Sequence, residues 1–157
     1  MPTKVAMNKI AVIFRSKHHG NTKFLLNELA REIPMDLYEV ASFDKDDFSE
    51  YAAVGFASGI YAWQMDKSLY KLIDSELSLP QKVFVIYTSG MASQNLAKGF
   101  SKKLEKKGKE LLGVFGCKGH DSFGPFKVIG GINKGRPNSR DLAAAAEFIR
   151  EEVIKKL

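Results

Sequence analysis

Ser16, Gly20, Asn21 and Thr22 gather two hydroxyls, an amide and a glycine within seven residues, directly after the apolar run Ile10-Ala11-Val12-Ile13-Phe14. Such groups are poor acids and bases at neutral pH, but they hold anions well. A short buried strand passes into a donor-rich turn, and the turn feeds a helix that begins at Asn21 and Thr22. Free backbone N–H groups, hydroxyls and the positive end of a helix dipole then converge where a phosphate would be held. Lys17, His18 and His19 add further donors to the same turn. The chain has no Gly-x-x-x-x-Gly-Lys-Ser/Thr for a nucleoside triphosphate and no Gly-x-Gly-x-x-Gly for a dinucleotide.

Two more segments carry suitable chemistry. Ser58-Gly59-Ile60-Tyr61-Ala62-Trp63-Gln64-Met65-Asp66 places two large aromatics, one of them the only Trp, in a glycine-tolerant turn. Thr88-Ser89-Gly90-Met91-Ala92 offers small polar residues after another apolar run. Other chemistries find little support. Cys117 is the single cysteine, so an intramolecular disulfide framework and a cysteine metal cluster are excluded. The three histidines, His18, His19 and His120, give no helix-borne pair of metal ligands. Gly-x-Ser-x-Gly is absent and His120 has no assignable acid, which speaks against a hydrolase. Cys117, at a strand end, reads as a small hydrophobe rather than a redox nucleophile.

The elements that must position these residues alternate along the whole chain. Strands are expected at about 9–14, 36–40, 52–57, 82–87 and 110–117. Helices are expected at about 21–33, 68–77, 93–107 and 141–157. In the first helix Phe24, Leu25, Leu29 and Ile33 return at helical spacing and form the expected inner face. Strands separated by helices of this length imply parallel crossovers and a sheet covered on both faces. Ligands of such sheets bind outside the carboxyl ends of the strands, where connections leave to opposite faces. The loops after the first, third, fourth and fifth strands are therefore the ones that matter. The Gly- and Pro-rich stretch 118–140 is too long to be idle and would fold over a ligand or make a dimer contact.

Ser-x-x-x-Gly-Asn-Thr after the first strand resembles the FMN-phosphate loop of flavodoxins, usually Ser/Thr-x-Thr-Gly-Asn-Thr, with one added residue and a His before the Gly. The resemblance implies a flavodoxin-like α/β three-layer sandwich. Its five-stranded parallel sheet would have the order 2-1-3-4-5, with residues 1–157 forming one domain. It also implies FMN as cofactor, its phosphate held by Ser16, Lys17, His18, His19, Gly20, Asn21 and Thr22. The ring would lie between Ser58, Gly59, Ile60, Tyr61, Ala62 and Trp63 on one side and Thr88, Ser89, Gly90 and Met91 on the other. Flat aromatics suit a planar, electron-poor ring. By the same resemblance, Gly59 would let its peptide flip as the ring is reduced.

Fold alone does not settle function. A receiver domain shares the architecture but needs acids after strand one, an Asp ending strand three and a Lys ending strand five. Here strand one ends Phe14-Arg15-Ser16 and strand three Ala57-Ser58-Gly59, so that reading fails. The compact length favours an electron-carrying flavodoxin, serving a reductase and an acceptor protein. A flavodoxin-fold NAD(P)H-dependent oxidoreductase or quinone reductase is the alternative, and an FMN-binding interaction module a third. The net charge of +6 is unusual for a family that is typically acidic, and points towards acidic partners. No aromatic stacking pattern accompanies the lysines, which argues against nucleic acid. No apolar run is long enough to span a bilayer, and the lone cysteine fits a reducing cytoplasm. A monomer or weak homodimer is expected.

Overall fold

A computed structural model describes residues 9–17, 20–61, 63–90, 96–119 and 135–157. The apolar runs form strands and the amphipathic stretches helices, in the order β1 (Ile10–Arg15), α1 (Asn21–Glu32), β2 (Asp36–Glu39), β3 (Ala53–Tyr61), β4 (Gln64–Met65), α2 (Lys67–Asp74), β5 (Lys82–Ser89), α3 (Lys98–Lys106), β6 (Glu110–Lys118) and α4 (Ser139–Phe148). A π-helical turn and a 3-10 turn carry the chain on from α4 to Lys156. The long strands pair in parallel in the order β2-β1-β3-β5-β6, which is the expected order 2-1-3-4-5. β4 is an addition, a short strand pairing antiparallel with the end of β3.

Side chains alternate across the sheet and build a core on each face. Ile10, Val12 and Phe14 of β1 join Phe84, Ile86 and the inner sides of α1 and α4. Ala11 and Ile13 point the other way, with Val54, Phe56, Val83 and Val85, against α2 and α3. This alternation is the period of two inherent to a pleated strand. Each strand between two helical layers therefore reads as a continuous apolar run.

Three expectations need correction. Phe24 was expected inside but is 46% exposed, while Leu26 is buried. The buried stripe of α1 runs through Thr22, Leu25, Leu26 and Leu29, and Phe24, one residue from Leu25, is rotated past its margin by about 100°. The third strand does not stop at Ala57: Ser58 and Gly59 continue the ladder opposite Tyr87 and Thr88, and Ile60 and Tyr61 pair with β4. Residues 58–61 and 64–65 are thus paired strands rather than loop. The last helix starts at Ser139, because Asn138 and Asp141 form a reciprocal capping box ahead of it. Residues 93–95 of the expected third helix lie outside the described residues, and α3 is described from Lys98. Among the described residues, no helix is long and apolar enough to cross a membrane.

Candidate functional site

The connection after β1 passes to the α1/α4 face and the connection after β3 to the α2/α3 face. The two strands are neighbours, so their carboxyl ends flank a crevice at the point where the crossovers part. Gly20 enters α1 with φ 64° and ψ 29°, a left-handed conformation that costs glycine little and a β-carbon much. Gly20 has no side chain with which to cap this helix start, and the first turn holds no acid. The first amides of a helix have no intrahelical acceptor. Here the Lys23 amide is met by the Ser16 hydroxyl at 3.2 Å, which pulls Ser16 in against the turn. The Thr22 side chain is buried, its hydroxyl 2.9 Å from that of Thr88 at the end of β5. Asn21 packs against Gly119, where a β-carbon would approach its Nδ2 to 2.5 Å. The start of α1 is thereby tied to the ends of β5 and β6.

Lys17 turns away from that cradle. Its ammonium lies 3.1 Å from the Asp66 carboxylate and 5.3 Å from the centre of the Tyr61 ring. Its amide donates to the Tyr61 hydroxyl at 2.8 Å. Asp66 is buried and caps α2, accepting from the Ser68 amide at 2.8 Å and the Ser68 hydroxyl at 2.6 Å. Burial alone would raise the Asp66 carboxyl; the Ser68 hydrogen bonds and the Lys17 ammonium outweigh it and hold the group below the usual carboxylate range. Burial pushes the Tyr61 hydroxyl up, so it stays a neutral phenol at physiological pH. Asp66 had no expected role. Its signal was the Asp-x-Ser spacing ahead of an amphipathic run, which marks a helix start.

The remaining expected residues divide between structural and presented positions. Ser58 is fully buried; its hydroxyl donates to the Gly59 carbonyl at 2.7 Å and accepts from the Asp66 amide at 3.0 Å, which occupies it within the hairpin. Gly59 lies in the ladder opposite Thr88, with the Tyr61 hydroxyl folded over it. Ile60 is half-buried in the hairpin pairing. Trp63 at the hairpin turn has φ 68° and is 68% exposed, so its ring is presented to solvent. Thr88 and Ser89 are buried, and the Ser89 carbonyl accepts from the Gly119 amide at 3.0 Å. Gly90 follows as a bend at the end of β5. His18, His19, Ala62, Met91 and His120, and most of the stretch 118–140, lie outside the described residues. At the start of α4, Arg136 holds Asp141 through two hydrogen bonds of 2.6 and 2.7 Å.

The arrangement is an acid-free, donor-rich helix start beside a hairpin that presents an indole. No described group of three or more His, Cys, Asp or Glu could hold a metal ion. The donor set suits a phosphate, and the exposed aromatic suits a planar ring next to it.

The profile of the flavodoxin domain family matches residues 11–120. The chain is 35% identical over 144 residues to an uncharacterized protein of Methanocaldococcus jannaschii, covering 90% of this chain and 96% of that protein. Among solved structures, a flavodoxin from the domain Archaea superposes with TM-score 0.65 at 16% identity, covering 94% of this chain and 97% of its own. A flavoprotein in complex with FMN from Lactobacillus acidophilus superposes with TM-score 0.58 at 15% identity, over 69% of this chain and 93% of its own.

Proposed function

The chain belongs to the flavodoxin domain family, and from that premise we propose that it binds FMN noncovalently at the carboxyl ends of β1 and β3 and serves as an electron carrier between proteins. The observation that carries this reading is the start of α1. A glycine in the left-handed conformation opens it, no acid stands in its first turn, and Ser16 and Thr22 flank it. A dianionic phosphate gains there from the dipole and from charge-assisted hydrogen bonds, and the first turn holds no carboxylate to repel it.

Gly20, Asn21 and Thr22 would hold the phosphate through their amides and side chains, with Ser16 beside them. Thr88 and Gly119 would keep Thr22 and Asn21 in place. Trp63 would cover one face of the ring, at the end of a hairpin that Tyr61 and Lys17 brace against the phosphate loop. Bound FMN supplies one- and two-electron chemistry, so no side chain has to act as acid or base. The solved flavoprotein that carries FMN on this fold supports the choice of cofactor.

Titration of flavin-free protein with FMN and with riboflavin, followed by quenching of flavin fluorescence, tests the reading. FMN is expected to bind in the micromolar range or tighter, and riboflavin at least about tenfold more weakly, a difference of about 1.4 kcal/mol from the phosphate. Equal affinities would remove the phosphate cradle from the argument, and no binding at micromolar concentration would defeat the proposal. Rapid NAD(P)H oxidation by the FMN-loaded protein with a quinone acceptor would replace the carrier by a reductase.

A further inference from the structure

Helix starts favour acidic side chains, because the macrodipole leaves positive charge there. This chain sets lysines at the starts of three helices, although Asp66 caps the second of them. Lysine occupies the first turn at Lys23 in α1, Lys67 in α2 and Lys98 in α3, and none of these turns holds an acid. Lys103 and Lys106 near the other end of α3 complement its dipole, whereas Lys98 opposes it. The parallel topology brings all three starts to one edge of the sheet, above the carboxyl ends of β1, β3 and β5. All three lysines are exposed.

Three described acids on the same edge are engaged. Glu39 meets Arg15, Asp66 meets Lys17, and Asp141 meets Arg136. Among the described residues no carboxylate pairs with Lys23, Lys67 or Lys98. The cationic charge left over therefore faces outwards from one edge. Phe24 and Trp63, the two most exposed of the large apolar side chains described, stand on that edge as well.

We propose that this edge is the docking face for a small acidic redox protein, with Phe24 and Trp63 as apolar contacts and Lys23, Lys67 and Lys98 as a charged rim. The face rests on the electron-carrier reading for what crosses it, but its lysines and Phe24 stand independently of bound flavin. Aromatics within a charged rim are the anatomy of a protein interface, and opposite potentials speed encounter. A nucleic-acid strand would call for cations along a continuous groove with aromatics in series. Here the cations sit on three separate helix starts and the two aromatics on different elements.

The test measures binding of the full chain to a purified acidic [2Fe–2S] ferredoxin, with a basic c-type cytochrome and oligothymidylate as controls. The Lys67→Glu/Lys98→Glu double variant is compared with the parent. Ferredoxin is expected to bind, and to lose at least about tenfold in affinity between about 20 and 200 mM salt, as screening requires. The double variant is expected to bind ferredoxin at least about tenfold more weakly at low salt while melting no lower than the parent, because the gain of Glu at the helix starts offsets its repulsion from Asp66 at α2. Lower binding together with undiminished stability separates a lost docking face from a damaged fold. FMN affinity of the variant should be unchanged; a fall would assign these lysines to the flavin site and overturn the proposal. Salt-independent binding, undiminished binding by the variant, or tighter binding of the cytochrome or the oligonucleotide would also overturn it. Failure of FMN to bind would strike the proposed function alone, because ferredoxin binding is read without flavin.

Discussion

The Lys17 ammonium stands 3.1 Å from the carboxylate of Asp66, a side chain only 5% exposed while that of Lys17 is 47% exposed. The pair joins the loop after β1 to the hairpin after β3, the two segments that flank the crevice. Its two halves differ in what they would leave behind. Without Lys17, a buried carboxylate loses its counter-charge; without the Asp66 charge, a half-exposed ammonium can turn to water.

Lys17→Met is therefore expected to destabilise the flavin-free protein by about 1–3 kcal/mol, discounted for the exposure of Lys17. Asp66→Asn keeps an oxygen that can cap α2 and is expected to cost no more than about 1 kcal/mol. Urea unfolding of both variants checks this, and equal losses would argue against the asymmetry.

The same pair sets a pH dependence. The folded-state pKa of Asp66 is lowered, so its contribution is fully present above the usual carboxylate range and is lost as pH falls through the lower folded value. Melting temperatures between pH 6 and pH 3 should fall more steeply for the parent than for Asp66→Asn. The residual slope of the variant belongs in part to Asp141, whose carboxyl is also held low: the Arg136 and Asn138 hydrogen bonds outweigh its burial.

Thr22 and Thr88 share one buried hydrogen bond of 2.9 Å across 66 residues of sequence. Thr22→Val or Thr88→Val alone strands a hydroxyl and is expected to cost about 1–3 kcal/mol. The double variant should cost less than the sum of the two. A double-mutant cycle by denaturant unfolding measures the coupling, and strict additivity would deny it.

Gly119→Ala drives a β-carbon to 2.5 Å from the Asn21 Nδ2, so Asn21 must leave its position. Overpacking of this kind costs about 1–3 kcal/mol, and if Asn21 helps to hold the phosphate, FMN affinity should fall about tenfold. Riboflavin affinity should change less. A parallel loss for both ligands would place the damage at the ring rather than the phosphate.

Burial pushes the Cys117 thiol up to about 12, with the Asp141 carboxylate acting in the same direction. Alkylation by iodoacetamide at pH 8 should be more than about a hundredfold slower in the folded protein than in urea, since only the thiolate reacts. A fast reaction in the folded state would contradict the half-buried, neutral thiol.

What the chain alone declares is what repeats locally. Strand runs, helix stripes and their alternation follow from residue spacing and imply a parallel sheet, while its order, and hence the crevice between β1 and β3, was expected only from the resemblance carried by the turn after β1. The turn from Ser16 to Thr22 is legible for the same reason, because its chemistry lies within two turns of chain. Partners across long separations are not written in spacing. Tyr61, expected as a stacking ring, also accepts from the Lys17 amide 44 residues away, a partner no spacing announced. Asp66, an unremarked acid at the end of the hairpin, holds the Lys17 ammonium. Phe24 shows the same limit on a helix: its period allowed burial, but only the face that α1 turns towards the sheet decided that Leu26 goes in and Phe24 stays out. Periodicity tells which way a side chain can point, whereas packing and charge, settled only when distant segments meet, decide what it finds there.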